Sequence, residues 1–273
     1  MPEDLIAGHL APWRSWDRGA PRPVLALHCS LAHSGAWSGL AERLSGVTVT
    51  ALDQPGHGRA AEWDRVEDLH ALTTRIATHL AEMLSEAAGD GPIDLFGHSF
   101  GGTVCLRLAL DRPDLVRSLM LVEPVIFAAA RGTPAFDAFR AGHEGVARAV
   151  ADDPARGAAL FHATWGTGEP LADLPERSRR YIIDRIHHIP AQNPVLVEDA
   201  AGLLRPGGLE AMDVPVLLVE GADSPPVIDA VQGVLAARLP RAQRLIVPGA
   251  GHMVPITHPD LVARAVQAHL DAA

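Results

Sequence analysis

The sequence predicts an α/β fold, a mostly parallel sheet covered by helices on both faces, and three features predict it. From residue 23 onward, short apolar runs alternate with longer segments of helical period. One of those runs, Ile93–Gly97, passes straight into a glycine-rich turn and an apolar helix. The chain has 273 residues and is 48% hydrophobic, enough for one large core, so one α/β domain carrying an insertion is favoured over several small domains.

Val24–His28 is a compact apolar run that ends abruptly in a polar loop, as a buried central strand does. Ala36–Leu44 reads as a helix and Val47–Leu52 as the next strand, closed by Asp53-Gln54-Pro55-Gly56-His57-Gly58. From Val66 to about Ala88, Leu69, Leu72, Ile76, Leu80 and Leu84 recur every three to four residues, giving an amphipathic helix that ends at Asp90-Gly91-Pro92. After the strand Ile93–Gly97 comes the helix Thr103–Leu110, then the strand Val116–Val122. The alternation then stops. Residues 124–212 hold only helical patterns and Gly/Pro turns, so they are expected to form a helical insertion between two parts of one core, 1–123 and 213–273. The alternation resumes with the strand Val214–Glu220, a helix over Val227–Leu239, the strand Arg244–Val247 and a last helix, Pro259–Leu270.

Composition removes several functions. All 23 cationic side chains are arginine, so lysine Schiff-base chemistry, a pyridoxal lysine and a lysine-bearing P-loop are excluded. A formal charge of −10 argues against nucleic acid and anionic membranes as partners. No apolar run approaches the roughly 18–20 residues that span a bilayer, and the start, MPEDLIAGHL, is acidic where a signal peptide is basic; a cytoplasmic protein is expected. Cys29 and Cys105 are read as reduced thiols rather than a disulfide framework.

Gly97-His98-Ser99-Phe100-Gly101 fits G-x-S-x-G between a strand and a helix, where a serine at the tip of a sharp turn is presented to substrate. Side chains at Gly97 or Gly101 would collide with neighbouring backbone. A serine hydroxyl needs a general base, and His98 beside it points away. His252, in Pro248-Gly-Ala-Gly-His-Met after the last strand, is best placed, and Asp223, in Glu220-Gly-Ala-Asp, can hold its imidazole. Ser99, Asp223 and His252 are therefore the expected nucleophile, acid and base.

These residues, with the strand-end histidine of LALHCS, DQPGHGR, GHSFGG, EGAD and GAGH, resemble the α/β-hydrolase superfamily over nearly the whole chain. The resemblance implies an eight-stranded, mostly parallel sheet with a helical cap inserted after the sixth strand, at 124–212. It also implies an oxyanion hole made by the backbone N–H of Phe100 and, by position, of Ser30. Family members usually carry His-Gly where this chain has His28-Cys29, which leaves Cys29 as a second candidate donor and raises whether its thiol faces substrate. Glu123, ending a strand in LVEP, rivals Asp223, because some members carry the acid there. His28, His57 and His98 are read as hydrogen-bonding braces under the site, Cys105 as core. His187-His188 is not read as a metal site, because adjacent helical residues diverge by about 100°. Trp37, Phe127, Phe136, Phe139, Phe161 and Trp165 are candidates for an acyl pocket, with ordinary packing as the simpler account.

The expectation is a cofactor-free, metal-free serine hydrolase of a small, mainly neutral ester or lactone. Acyl transfer, C–C bond hydrolysis and perhydrolysis on the same triad stand as alternatives, as does a non-catalytic small-molecule receptor.

Overall fold

The computed structural model describes residues 5–273. Its large sheet is built from β3 (Trp13–Trp16), β4 (Arg22–Leu27), β5 (Val47–Leu52), β6 (Ile93–His98), β7 (Val116–Val122), β8 (Val216–Gly221) and β9 (Ala242–Val247). The strand order is β3-β5-β4-β6-β7-β8-β9; β3 runs antiparallel and every other neighbour pair is parallel. Among the described residues this sheet has seven strands, against the eight that the family resemblance implies. The N-terminal pair β1 (Leu5–Ile6) and β2 (His9–Leu10) bond to each other through a turn at Ala7 and Gly8 instead of joining the sheet.

Because strand side chains alternate, each strand feeds two cores. Leu25, Leu27, Leu119, Leu121 and Leu218 face one layer, packed by α2 (Leu69–Ala87), α3 (Phe100–Asp111) and α9 (Pro226–Arg238). Val24, Ala26, Met120, Val122 and Val219 face the other, covered by α1 (Ser38–Ala41) and α11 (Pro259–Ala272). Burial on both faces is why these strands read as unbroken apolar runs rather than alternating ones.

Between β7 and β8 lie α4 (Pro134–Asp152), α5 (Pro154–Trp165), α6 (Glu176–Arg185), α7 (His188–Ala191) and α8 (Asn193–Leu196), with no strand. Asp153, closing α4 and capping α5 through Ala155 N and Arg156 N, fixes the corner between the two long helices.

The topology also locates a crevice. The chain moves from β4 out to β5, then crosses back to β6 on β4's other side, so β4 and β6 form the switch point where strand ends leave an opening. Leu27 pairs with Gly97 there, bringing the loop carrying Ser30 beside the turn carrying Ser99.

Candidate active site

Ser99 follows β6 and opens α3 with φ 56° and ψ −118°, a left-handed backbone conformation that costs a non-glycine residue free energy. Its N–H donates to Val122 O at 2.8 Å and its carbonyl accepts from Gly102 N at 2.9 Å, which hold the turn. The turn tolerates no bulk. A Cβ on Gly97 would lie 2.6 Å from Gly102 Cα, and one on Gly101 would overlap the Leu27 and His28 carbonyls.

Register carries the next groups to the same edge. His98 pairs with Val122, so Glu123 follows β7 beside Ser99, and Gly221 at the end of β8 lies next to it. His252 sits five residues beyond β9. Its Nδ1–H donates to Glu123 Oε2 at 2.6 Å. Glu123 is fully buried, and its other oxygen accepts from Gly221 N at 2.7 Å and Ser224 Oγ at 2.5 Å. Three donors fix this carboxylate. With Nδ1 committed as donor, the neutral imidazole leaves Nε2 as acceptor.

Here the structure departs from the sequence reading. Asp223 is exposed and its carboxylate has no partner among the described residues, while its backbone N–H donates to Ala250 O at 2.9 Å. The physical reason lies in the turn after β8: the Gly221 N–H and the Ser224 hydroxyl face inward to Glu123, and the two residues between them, Ala222 and Asp223, are turned to solvent.

Ser99 and His252 line one cavity of about 30 Å³, with Ser30, Phe127, Trp165 and Gln192 among its walls. No hydrogen bond joins Ser99 Oγ to His252 Nε2. Among the described residues the backbone N–H groups of Ser30 and Phe100 also have no acceptor, and that of Phe100 is one of the free donors at the start of α3. Ser30 Oγ donates to Gln192 Oε1 at 2.9 Å, joining the loop to the helical segment.

Three buried histidines brace these loops. His28 Nδ1 donates to Cys29 O at 2.7 Å while its Nε2 accepts from Gln54 N at 3.2 Å. His57 bonds Pro55 O at 2.9 Å and accepts from Leu31 N at 3.1 Å. His98 donates to His252 O at 2.9 Å. Burial pushes all three down to about 3, so they are neutral spacers whose tautomers are set by the backbone.

The Cys29 thiol is buried and pushed up to about 12 by desolvation, which keeps it a thiol. It lines a neighbouring cavity of about 210 Å³ that shares Ser30 and Trp165 with the first. His187 and His188 do not diverge, since they sit at the junction of α6 and α7; their ring centroids are 4.3 Å apart, and His188 stacks on His57 at 4.7 Å. Of the aromatic candidates, Phe127, Phe161 and Trp165 line the cavity of Ser99 and His252, and Trp165 meets His252 edge-on at 4.8 Å. Trp37 packs under the sheet against Phe96. Gln192 and His143 line the cavity too; in the sequence they look like polar residues of exposed helices, and no local pattern marks them.

A serine on a strand-to-helix elbow at the switch point of a mostly parallel sheet, beside a histidine held by a carboxylate, is the architecture of an α/β hydrolase. The chain belongs to the alpha/beta hydrolase fold family, whose profile matches residues 22–259. Lipase LipV of Mycobacterium tuberculosis is 30% identical to it over 267 residues, which are 92% of this chain and 94% of that protein. Human monoglyceride lipase is 32% identical over 115 residues, 40% of this chain and 37% of that one. The solved structure of a thermophilic esterase superposes with a TM-score of 0.70 at 21% identity, covering 98% of this chain and 95% of that one; this is a likeness of fold.

Proposed function

We propose that the protein is a cofactor-independent serine hydrolase that cleaves a carboxylic ester or lactone of a small, mainly apolar molecule, with Ser99, His252 and Glu123 as its triad. The observation that carries this reading is the Glu123–His252 bond of 2.6 Å beside a strained serine that lines the same cavity. The relatives, named as lipases, support ester cleavage, and the aromatic walls support an apolar substrate.

His252 Nε2 takes the Ser99 proton as Oγ bonds to the carbonyl carbon. The carbonyl oxygen becomes an oxyanion against the N–H groups of Phe100 and Ser30, a donor of this kind being worth about 3–4 kcal/mol in the transition state. The protonated imidazole returns its proton to the leaving alkoxide oxygen as the C–O bond breaks. Water then attacks the acyl-enzyme, its proton going to His252 and on to Ser99 Oγ as the acid departs. Glu123 holds the tautomer and stabilises the imidazolium. The helical segment 124–212 acts as a cap that roofs the cavity.

Wild type and Ser99→Ala are compared on p-nitrophenyl butyrate and with a fluorophosphonate probe. Turnover and a covalent adduct at Ser99 in wild type alone are expected; equal rates in the two proteins would refute the proposal.

A further inference from the structure

We propose that Gln192 is a specificity-determining residue: its carboxamide N–H group donates to a hydrogen-bond acceptor of the substrate close to the scissile carbonyl, so the preferred ester carries an ether, hydroxyl or second carbonyl oxygen there. The inference rests on the serine-hydrolase reading and narrows its substrate class.

Gln192 lies between α7 and α8 and is 3% exposed. Its backbone is satisfied: its N–H donates to Ile189 O, and its carbonyl accepts from Val195 N and Leu196 N. In the side chain, Oε1 accepts the Ser30 hydroxyl at 2.9 Å, but Nε2 is buried without a partner among the described residues. A buried amide donor left unpaired is costly, and a fold keeps one where something else answers it. Other buried side-chain atoms share that condition, on Trp37, Gln54, His70, His162, His188, Gln232 and His269, but none of those residues lines the cavity of Ser99. Gln192 does.

The cavity of about 30 Å³ has room for about one water molecule, which can answer the amide at rest. A substrate entering beside Ser99 displaces that water. If it brings an acceptor, the hydrogen bond is replaced; if it brings only methylenes, the donor is stranded in an apolar pocket walled by Phe127 and Trp165. Discrimination thus comes from the penalty on the wrong substrate more than from attraction to the right one. The Ser30 bond adds orientation, because it pins one end of the carboxamide and aims the other.

Two isosteric ester pairs test this. Ethyl methoxyacetate against ethyl butyrate places the ether oxygen on the acyl side, and 2-methoxyethyl butyrate against butyl butyrate places it on the alcohol side. Each kcat/KM is normalised to the ester's own rate with hydroxide. Wild type is expected to prefer the ether member of at least one pair by about tenfold. Gln192→Met, which keeps the length and loses the donor, is expected to abolish that preference; Gln192→Glu, which presents an acceptor instead, to reverse it. Loss of the Ser30 contact alone would slow both members of a pair together and leave the ratio intact. A ratio near one in wild type for both pairs, or an unchanged ratio in Gln192→Met, would overturn the inference. The absence of any Ser99-dependent turnover would instead overturn the hydrolase reading beneath it.

Discussion

Glu123 holds a φ of 44°, and with Ser99 and Leu31 it is one of the few non-glycine residues in the left-handed region. Strain at a carboxylate beside a strained serine agrees with the proposed roles of Glu123 and Ser99, because such conformations persist only where the surroundings over-determine them. Both Asp223 and Glu123 come within two residues after a strand, and both lie between Ser99 and His252 in the chain, so order alone does not separate them. What separates them is the direction of the Gly221 N–H and the Ser224 hydroxyl, which is a property of a turn and has no local signature. That Ser99 and His252 meet at one edge of the sheet is legible in the sequence, because the elbow demands glycines at fixed offsets and His252 follows a strand. Glu123→Gln is expected to lower kcat by about 10³–10⁴, since the amide favours the wrong tautomer of His252. Asp223→Asn is expected to stay within about twofold, as an exposed side chain without a partner should. Steady-state kinetics on one ester, with thermal melts to confirm folding, checks both; the reverse pattern would return the acid to Asp223.

At the level of elements, the sequence places the parallel strands to within about two residues, because burial on both faces makes most positions of the central ones apolar. The edge strand Trp13–Trp16 has no signature in the sequence, since only its ends are half-buried and no period-2 run stands out. The helix expected over Ala36–Leu44 is a 3-10 turn, Ser34–Trp37, followed by one turn of α-helix, the His33 side chain accepting from Gly35 N at its start. In residues 124–212 the helical period was visible, but the space between the helices was not. Trp165, at the end of α5, walls three cavities: that of Ser99 and His252, the neighbouring one of about 210 Å³, and a groove of about 1030 Å³ between α4, α5 and the start of α9. A chamber of about 30 Å³ leaves little room for a long acyl chain beside Ser99, and the Trp165 indole is one of its walls. Trp165→Ala is expected to raise the ratio of kcat/KM for p-nitrophenyl decanoate over butyrate about tenfold and to cost about 3–5 kcal/mol of stability. An unchanged ratio would mean that the substrate enters by another wall.

Across the whole molecule, charge is arranged so that acid should unfold it early. The −10 balance says only that the surface is acidic; the buried charges and imidazoles bear the load. At the foot of the sheet, Asp94 is fully buried and takes Arg22 through two bonds of 2.6 and 2.9 Å, together with the Ser118 hydroxyl. Arg22 also donates to Leu270 O, tying β4, β6, β7 and the last helix in one cluster. At the other end and in the helix layer sit His28, His57, His70 and His98, all at most 2% exposed and all pushed down to about 3 by burial. Their unfolded value is about 6.5, so between that pH and about 3 the unfolded chain binds the extra protons. Stability from neutral burial is therefore complete above about pH 6.5 and falls as pH drops. Each histidine withdraws about 2 kcal/mol by pH 5, and four withdraw about 8, against a total stability of about 5–15 kcal/mol for a folded domain. Far-UV circular dichroism during an acid titration is expected to show cooperative unfolding between about pH 6 and 4.5, above the range where ordinary carboxylates protonate. His70→Gln, at a residue that does not line the Ser99 cavity, should lower the midpoint and reduce proton uptake on unfolding at pH 5 by about one. Denaturant midpoints that stay level from pH 6.5 to 5 would show that these imidazoles already carry charge in the folded protein.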